Sequence, residues 1–159
     1  MKRYCYLSIV IVLLLLTSCS QETRLDSSEE KISPHNTDTG ISNHLTDPTT
    51  DIHIYPDKEV YTTPIENVSL IIENNGQEAV VFGNGMYVER NENGTWYEIP
   101  YASFEFGDVT GEIRSKEKIG EEVPVANLKS KLTPGTYRIV KSFFIDSNQT
   151  FLATEFEVE

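Results

Sequence analysis

The sequence predicts an all-β fold, an antiparallel β-sandwich of about seven to nine short strands that follows a signal peptide and a polar linker. Three observations support this prediction. β-like runs alternate with turn signals at intervals of about 8–12 residues. No stretch after residue 50 has helical periodicity. The composition, with 38% hydrophobic and 24% charged residues, is typical of a globular domain.

The first 18 residues have the pattern of a secretory signal peptide. Lys2 and Arg3 precede an aliphatic run, Leu7 to Leu16, in which only Ser8 is polar. Ten helical residues span about 15 Å, roughly half of the hydrocarbon core of a bilayer. The run is therefore too short for a spanning helix and has the length of a signal-peptide core.

Leu16, Thr17, Ser18 and Cys19 resemble the lipobox of bacterial lipoproteins, in which an aliphatic residue and two small residues precede a cysteine. Small residues let an extended backbone enter the signal-peptidase cleft, and the thiol is the nucleophile that accepts a diacylglyceryl group. The resemblance implies that Cys19 is lipidated and that the mature chain is held at the extracytoplasmic face of the cell membrane. Cys5 would be removed with the signal peptide, so no disulfide is expected in the folded part.

Residues 19–50 are predicted to be the lipidated cysteine followed by a flexible polar linker. Ser, Thr, Asp, Glu and Asn dominate this stretch, and its few aliphatic residues show no sustained period. His35 and His44 are expected to be solvated here rather than to bind a metal. The predicted organisation is thus a signal peptide at 1–18, a linker at 19–50 and one domain at 51–159.

The domain begins with a series of short strand-like runs separated by Pro, Asn and Gly. Val68, Leu70 and Ile72 alternate with polar residues and define one buried strand face. A short apolar run at 79–82 is expected to end at Gly83 and Gly85. The runs of this first half lie at 52–54, 60–63, 67–73, 79–82 and 86–90.

Asn93 and Gly94 mark the clearest hairpin of the sequence, because both residue types tolerate the positive φ angles of tight turns. Two registers remain open. A two-residue loop pairs Glu92 with Thr95, whereas a three-residue loop with a glycine bulge pairs Asn91 with Thr95 and reverses the faces of all later residues.

The second half of the domain contains a charged stretch at 112–122, predicted to be a loop, and Val123 beside Pro124, predicted to be an edge strand or a bulge. Pro-Gly-Thr before Tyr137 resembles a tyrosine corner, in which the hydroxyl bonds back to the chain. Trp96 is the candidate for the core aromatic. Long runs at 137–144 and 150–158 complete the pattern.

These runs resemble the bacterial immunoglobulin-like domain of extracytoplasmic lipoproteins from low-GC Gram-positive bacteria. The resemblance covers roughly two-thirds of the chain and implies an immunoglobulin-like fold and an envelope location. It implies no particular ligand or activity. The charged residues 114–122 depart from the pattern, where a compact Pro-Gly turn is expected. The matching segments are 70–75, 82–83, 87–90, 93–100, 132–141 and 155–158.

The charge and the inventory of reactive side chains exclude several functions. With 25 acidic and 13 basic residues, the chain has a formal charge of −12 and would repel the phosphates of a nucleic acid. No His or Cys follows His53, so nucleophile systems based on Ser-His or Cys-His are absent from the domain. Glu89 and Glu98 are interpreted as outward-facing charges, balanced by Arg90 and Lys141. We expect a monomeric recognition or spacer domain without enzymatic activity, cofactor or metal.

Aromatic residues concentrated in one short stretch are the best candidates for a binding surface. Tyr87, Tyr97, Tyr101 and Phe104 are predicted to be partly exposed there. Since the acidic chain would repel anionic wall polymers, an envelope protein or a neutral glycan is the expected partner. The alternative is a protease inhibitor or an envelope-sensor accessory protein that uses the Pro-flanked segments 97–100 and 122–124.

Overall fold

The computed structural model describes the backbone of residues 31–32 and the whole of residues 41–159. Within these residues the chain forms eleven strands and a single 3₁₀ turn. The strands are β1 (Lys31–Ile32), β2 (His44–Thr46), β3 (Asp51–Pro56), β4 (Val60–Tyr61), β5 (Val68–Asn74), β6 (Val80–Glu92), β7 (Thr95–Glu98), β8 (Thr110–Ile113), β9 (Lys118–Val123), β10 (Gly135–Ile145) and β11 (Asn148–Val158), with the 3₁₀ turn at Val125–Asn127.

The strands form two sheets that pack face to face, which confirms the predicted sandwich. The smaller sheet has the order β2-β3-β5-β9. The larger sheet has the order β1-β7-β6-β10-β11-β4, and β8 pairs with the other end of β6. All pairings are antiparallel except that of β4 with β11. In the described part of the chain no helix is long and apolar enough to cross a membrane.

The core lies between the two sheets and is built from alternate residues of each strand. Val68, Leu70 and Ile72 of β5 are fully buried, as their period of two predicts. From the larger sheet, β6, β10 and β11 contribute most of the aromatic rings. Tyr137 stacks on Phe156, with ring centroids 5.6 Å apart.

The hairpin between β6 and β7 adopts the two-residue loop. Glu92 pairs with Thr95. Asn93 and Gly94 have φ angles of 53° and 87°, the positive values that a type I′ turn needs. The register also pairs Trp96 with Asn91, on the same face as Glu89 and opposite to Val88. Trp96 is therefore buried, as predicted for a core aromatic, but it lies on the outward face of the larger sheet and does not join the hydrophobic cluster between the two sheets.

Three predicted boundaries differ from the structure. The predicted linker contains β1, which pairs with β7, and β2, in which Leu45 pairs with Ile52 and packs against the core. β6 continues through Gly83 and Gly85, since an irregular register against β10 accommodates the extra residues. The charged stretch predicted as a loop contains β9, whose inward positions include Ile119 and a carboxylate.

Candidate binding site

A gap in strand pairing along one edge of β6 is the central feature of the candidate site. β8 pairs with Val80–Gly83 and β7 pairs with Glu89–Glu92. Two further backbone bonds bound the gap, from Asn84 N to Val109 O at 3.2 Å and from Ile99 N to Val88 O at 2.9 Å. Between them, no described strand pairs with Gly85 or Met86 on this edge.

The gap exists because the chain between β7 and β8 turns away from β6. Pro100 O accepts a bond from Lys129 N at 2.8 Å, and Ala102 N donates to Asn127 O at 2.8 Å. Tyr101 forms an isolated bridge with Leu128. These contacts hold residues 100–102 beside the segment that follows the 3₁₀ turn, so the loop forms a wall of the site rather than a strand beside β6.

Three aromatic rings stiffen this wall. The centroid of the Phe104 ring lies 4.8 Å from that of Phe106, and the two rings are nearly perpendicular. Tyr101 lies 5.2 Å from Phe106 and 5.7 Å from Phe104. The two contacts of Phe106 are edge-to-face, a geometry that stabilises such a cluster beyond the area that it buries.

The wall, the bare edge and the outer side of β10 enclose an open groove of about 570 Å³. The described lining residues combine aromatic rings, amides and hydroxyls with three carboxylates, those of Glu98, Glu105 and Asp108, and include no Lys or Arg. The lining also includes Gly83, Met86, Tyr87, Tyr101, Phe106 and Val109.

The structure brings together some of the predicted surface residues and separates one. Tyr87 and Tyr101 line the groove, and Phe104 lies beside it in contact with Tyr101. Tyr87 is 37% exposed and Phe104 is 38% exposed. Tyr97 pairs with Arg90, which places it on the opposite face of the sheet from Tyr87.

Tyr101 has an unusual environment for a tyrosine. Its hydroxyl is buried and has no hydrogen-bond partner among the described residues. Burial alone raises the pKa of Tyr101 well above its ordinary value of 10.0, because the ionised form loses its hydration. The phenol is therefore neutral at any physiological pH.

A buried lysine lies behind the groove and was missed by the sequence analysis. Lys141 is fully buried and its Nζ lies 2.6 Å from Glu121 Oε2, across the two sheets. Nζ also donates to Gly83 O at 2.9 Å, on the groove side of the core. Burial lowers the pKa of Lys141, and Glu121 offsets part of this shift. The interpretation of Lys141 as a surface charge was wrong, although its place between Ile139 and Phe143, two inward positions of one strand, could have revealed it.

A second buried ion pair lies on the outer face of the larger sheet. Arg138 Nε donates to Glu89 Oε2 at 2.5 Å, and both side chains are almost completely buried. The guanidinium also lies 4.3 Å from the centroid of the Trp96 ring, which suits a cation–π contact. Glu89 thus faces outward as predicted, but it is buried and paired with Arg138 rather than exposed to solvent.

Tyr137 makes the bond that defines a tyrosine corner. Its hydroxyl donates to Thr133 O at 2.7 Å and accepts from Thr133 N at 3.0 Å. The ring itself is fully buried. The residue therefore ties the start of β10 to the turn before it and has a structural role.

The two described histidines lie together on the smaller sheet. His44 pairs with His53 across β2 and β3, with ring centroids 5.5 Å apart. His44 Nε2 lies 2.6 Å from Asp51 Oδ1, and Asn43 Nδ2 lies 3.1 Å from His53 Nε2. Among residues 41–159 no group of three or more metal-type ligands comes together.

The segments that would favour an inhibitor are not presented as exposed loops. Ile99 and Val123 are buried, and Glu98 and Val123 end the strands β7 and β9. Pro124 is followed directly by the 3₁₀ turn. No observation in the described chain therefore favours the inhibitor over a binding module. Leu16, Thr17, Ser18 and Cys19 lie outside the described residues.

Two largely antiparallel sheets, a tyrosine corner and loops at the ends of the strands define an immunoglobulin-like β-sandwich module. A family model described as Bacterial Ig-like domain matches residues 48–157, and the chain belongs to that family. The match starts before Asp51, in keeping with the structure.

Comparisons with individual proteins add general likenesses. No curated protein matches the chain. The CARDB domain of the PF1109 protein from Pyrococcus furiosus, solved in complex with di-metal ions, is 15% identical over 72% of this chain and 97% of that one, with a TM-score of 0.34. The ASH/PapD-like domain 7 of human CEP192 is 16% identical over 79% and 98%, with a TM-score of 0.37.

Proposed function

We propose that this protein is a membrane-anchored extracytoplasmic lipoprotein whose Ig-like domain is a non-catalytic recognition module, with the groove beside β6 as its binding site. Family membership supports the module. The motif Leu16-Thr17-Ser18-Cys19 after an aliphatic run supports the anchor. Recognition rather than a spacer role rests on one observation, the bare strand edge that opens into an aromatic and acidic groove.

The lipid anchor has a physical reason in the charge of the chain. Two or more acyl chains bind a bilayer stably, whereas a single chain is marginal. A chain with a formal charge of −12 would be repelled by anionic headgroups. Attachment therefore has to come from covalent lipid at Cys19 rather than from a basic patch.

Metabolic labelling with a fatty acid tests the anchor, and the chain contains its own control. Cys19→Ala should abolish labelling and release the protein from the membrane, whereas Cys5→Ala should leave both unchanged. Labelling that persists in Cys19→Ala, or that is lost in Cys5→Ala alone, would contradict the anchor.

Photo-crosslinking in live cells tests recognition at the groove. Val109 lines the groove and is 67% exposed, whereas Val60 is 46% exposed at β4, the opposite edge of the sheet. A photo-reactive residue at Val109 should give a reproducible adduct that the same residue at Val60 does not give. Equal patterns from both positions would contradict a specific site. Turnover of a substrate, abolished by one carboxylate substitution in a folded variant, would contradict a non-catalytic role.

A further inference from the structure

We propose that the groove receives an extended peptide segment of a protein partner, which adds as a short strand to the bare edge of β6 and places a Lys or Arg side chain beside Glu105 and Asp108. The inference rests on the proposed function, because it names the ligand class of the same site. Three features of the groove support it: the orientation of its backbone groups, its charge, and the way its wall is anchored.

The backbone of Met86 faces the gap. Val88 O accepts the bond from Ile99 N, so the N–H and C=O of Val88 point away from β10. In an antiparallel strand, the backbone N–H and C=O groups of residues i and i+2 point to the same side of the strand. Met86 therefore directs one donor and one acceptor into the groove, and no described residue pairs with it there.

The size of the gap suits a short strand. The gap lies between the backbone hydrogen bonds of Asn84 and Val88. These residues are four positions apart, which corresponds to about 13 Å of extended chain. A peptide of three to four extended residues fits this length. Strand addition of this kind takes its affinity from main-chain bonds and its specificity from alternate side chains.

The charge of the groove selects the side chain. Glu105 and Asp108 are exposed, and neither forms an ion pair in the described part of the chain. With no basic residue in the described lining, an anionic ligand would be repelled and a cation attracted. Tyr87, which is 37% exposed, adds an aromatic ring to the same lining.

The wall of the groove is held apart from β6 by bonds of its own. Residues 100–102 are fixed to Asn127, Leu128 and Lys129, and the three-ring cluster packs on this anchored segment. The edge therefore does not depend on rearrangement of the loop to become available. A peptide would enter a pre-formed site, which lowers the ordering cost of binding.

The test uses the full chain in a neutral detergent and fluorescent peptides as probes. The first is a capped pentapeptide of alternating Val and Lys, the second has Gln in place of Lys, and the third is the Lys peptide with N-methylated backbone amides. Fluorescence anisotropy at low ionic strength should show that the Lys peptide binds at least tenfold more tightly than either of the others. The double variant Glu105→Gln/Asp108→Asn should reduce the advantage of Lys over Gln to less than threefold.

A matched variant controls for net charge. Glu155→Gln/Glu157→Gln removes two exposed carboxylates from β11, outside the groove. This variant should still bind the Lys peptide at least tenfold more tightly than the Gln peptide. Equal binding of the Lys and Gln peptides, or equal loss of the Lys advantage in both double variants, would overturn the charge argument. Unchanged binding of the N-methylated peptide would overturn strand addition.

The remaining outcomes separate this inference from the proposed function. Binding of an N-acetylglucosamine tetramer, with no binding of the peptides and with specific adducts from Val109, would overturn the peptide ligand and leave recognition at the groove intact. No binding of any probe, together with identical adducts from Val109 and Val60, would overturn both.

Discussion

The buried ion pair between Lys141 and Glu121 gives the sharpest test of the core. Glu121→Gln would leave the ammonium of a fully buried lysine without its counter-charge. Lys141→Met would instead leave a carboxylate that is 20% exposed on the edge strand β9. The two substitutions remove the same contact, yet we expect different costs, because the side chain of Lys141 is fully buried whereas that of Glu121 is partly exposed.

The magnitude follows from the geometry. At 2.6 Å and an effective dielectric constant of about 20, the two charges attract by about 6 kcal/mol. Desolvation costs several kcal/mol per ion, so the intact pair contributes little net stability, whereas removal of one partner of a buried pair costs about 3–5 kcal/mol. Gln keeps an oxygen near Nζ, and Gly83 O still accepts a bond from it. We therefore expect about 3 kcal/mol for Glu121→Gln and no more than about 1 kcal/mol for Lys141→Met.

Urea unfolding of the mature chain with Cys19→Ser measures the difference. With an m-value of about 1–3 kcal/mol/M, a loss of 3 kcal/mol lowers the midpoint by about 1–3 M. The double variant Lys141→Met/Glu121→Gln should regain most of the stability that Glu121→Gln loses, since no ion then remains in the core. If Glu121→Gln is no more destabilising than Lys141→Met, the ammonium reaches solvent and the argument is wrong.

Two further predictions concern pH and packing. Burial lowers the pKa of Lys141 below its ordinary value of 10.5. Between the lowered pKa and 10.5 the unfolded chain binds more protons than the folded chain, so the contribution of Lys141 to stability rises with pH. Urea melts should therefore show the stability of wild type increasing relative to that of Lys141→Met as pH approaches 10.5, and a constant difference would contradict this. Gly111→Ala would place a Cβ against the Phe82 ring, closer than van der Waals contact allows. Such overpacking should cost about 1–3 kcal/mol in the same assay, whereas an unchanged midpoint would show that the ring moves aside without cost.

The sequence predicted those elements whose residues alternate cleanly. Val68, Leu70 and Ile72 identified β5 because nothing interrupts their period. β9 was missed because its inward position 121 carries a charge, and charged residues in a sequence are usually interpreted as part of a surface or a loop. Only the partner on β10, distant in the chain, makes this charge tolerable in the core.

The candidate site was predicted only in part, because its decisive property depends on several strands at once. The aromatic residues of the groove were visible as a local concentration, and Tyr87 and Tyr101 do line it. The bare edge at Met86 depends on where β7 ends, where β8 begins and how the intervening loop is anchored to Leu128. No local pattern encodes such a combination, and the open register of the hairpin already made the faces ambiguous.

Two tyrosines of this domain allow the cost of the site to be separated from the stability of the fold. The hydroxyl of Tyr137 makes two bonds with Thr133, so Tyr137→Phe leaves a buried donor and acceptor unpaired and should cost about 1–3 kcal/mol. The hydroxyl of Tyr101 is buried without a described partner, so Tyr101→Phe removes a desolvation penalty and should raise stability by up to about 1 kcal/mol. Urea midpoints of the two variants should therefore move in opposite directions. A loss in both would mean that Tyr101 is bonded in solution, whereas a gain in Tyr101→Phe would indicate that this residue is kept in the wall of the groove at the expense of stability, as is common at functional sites.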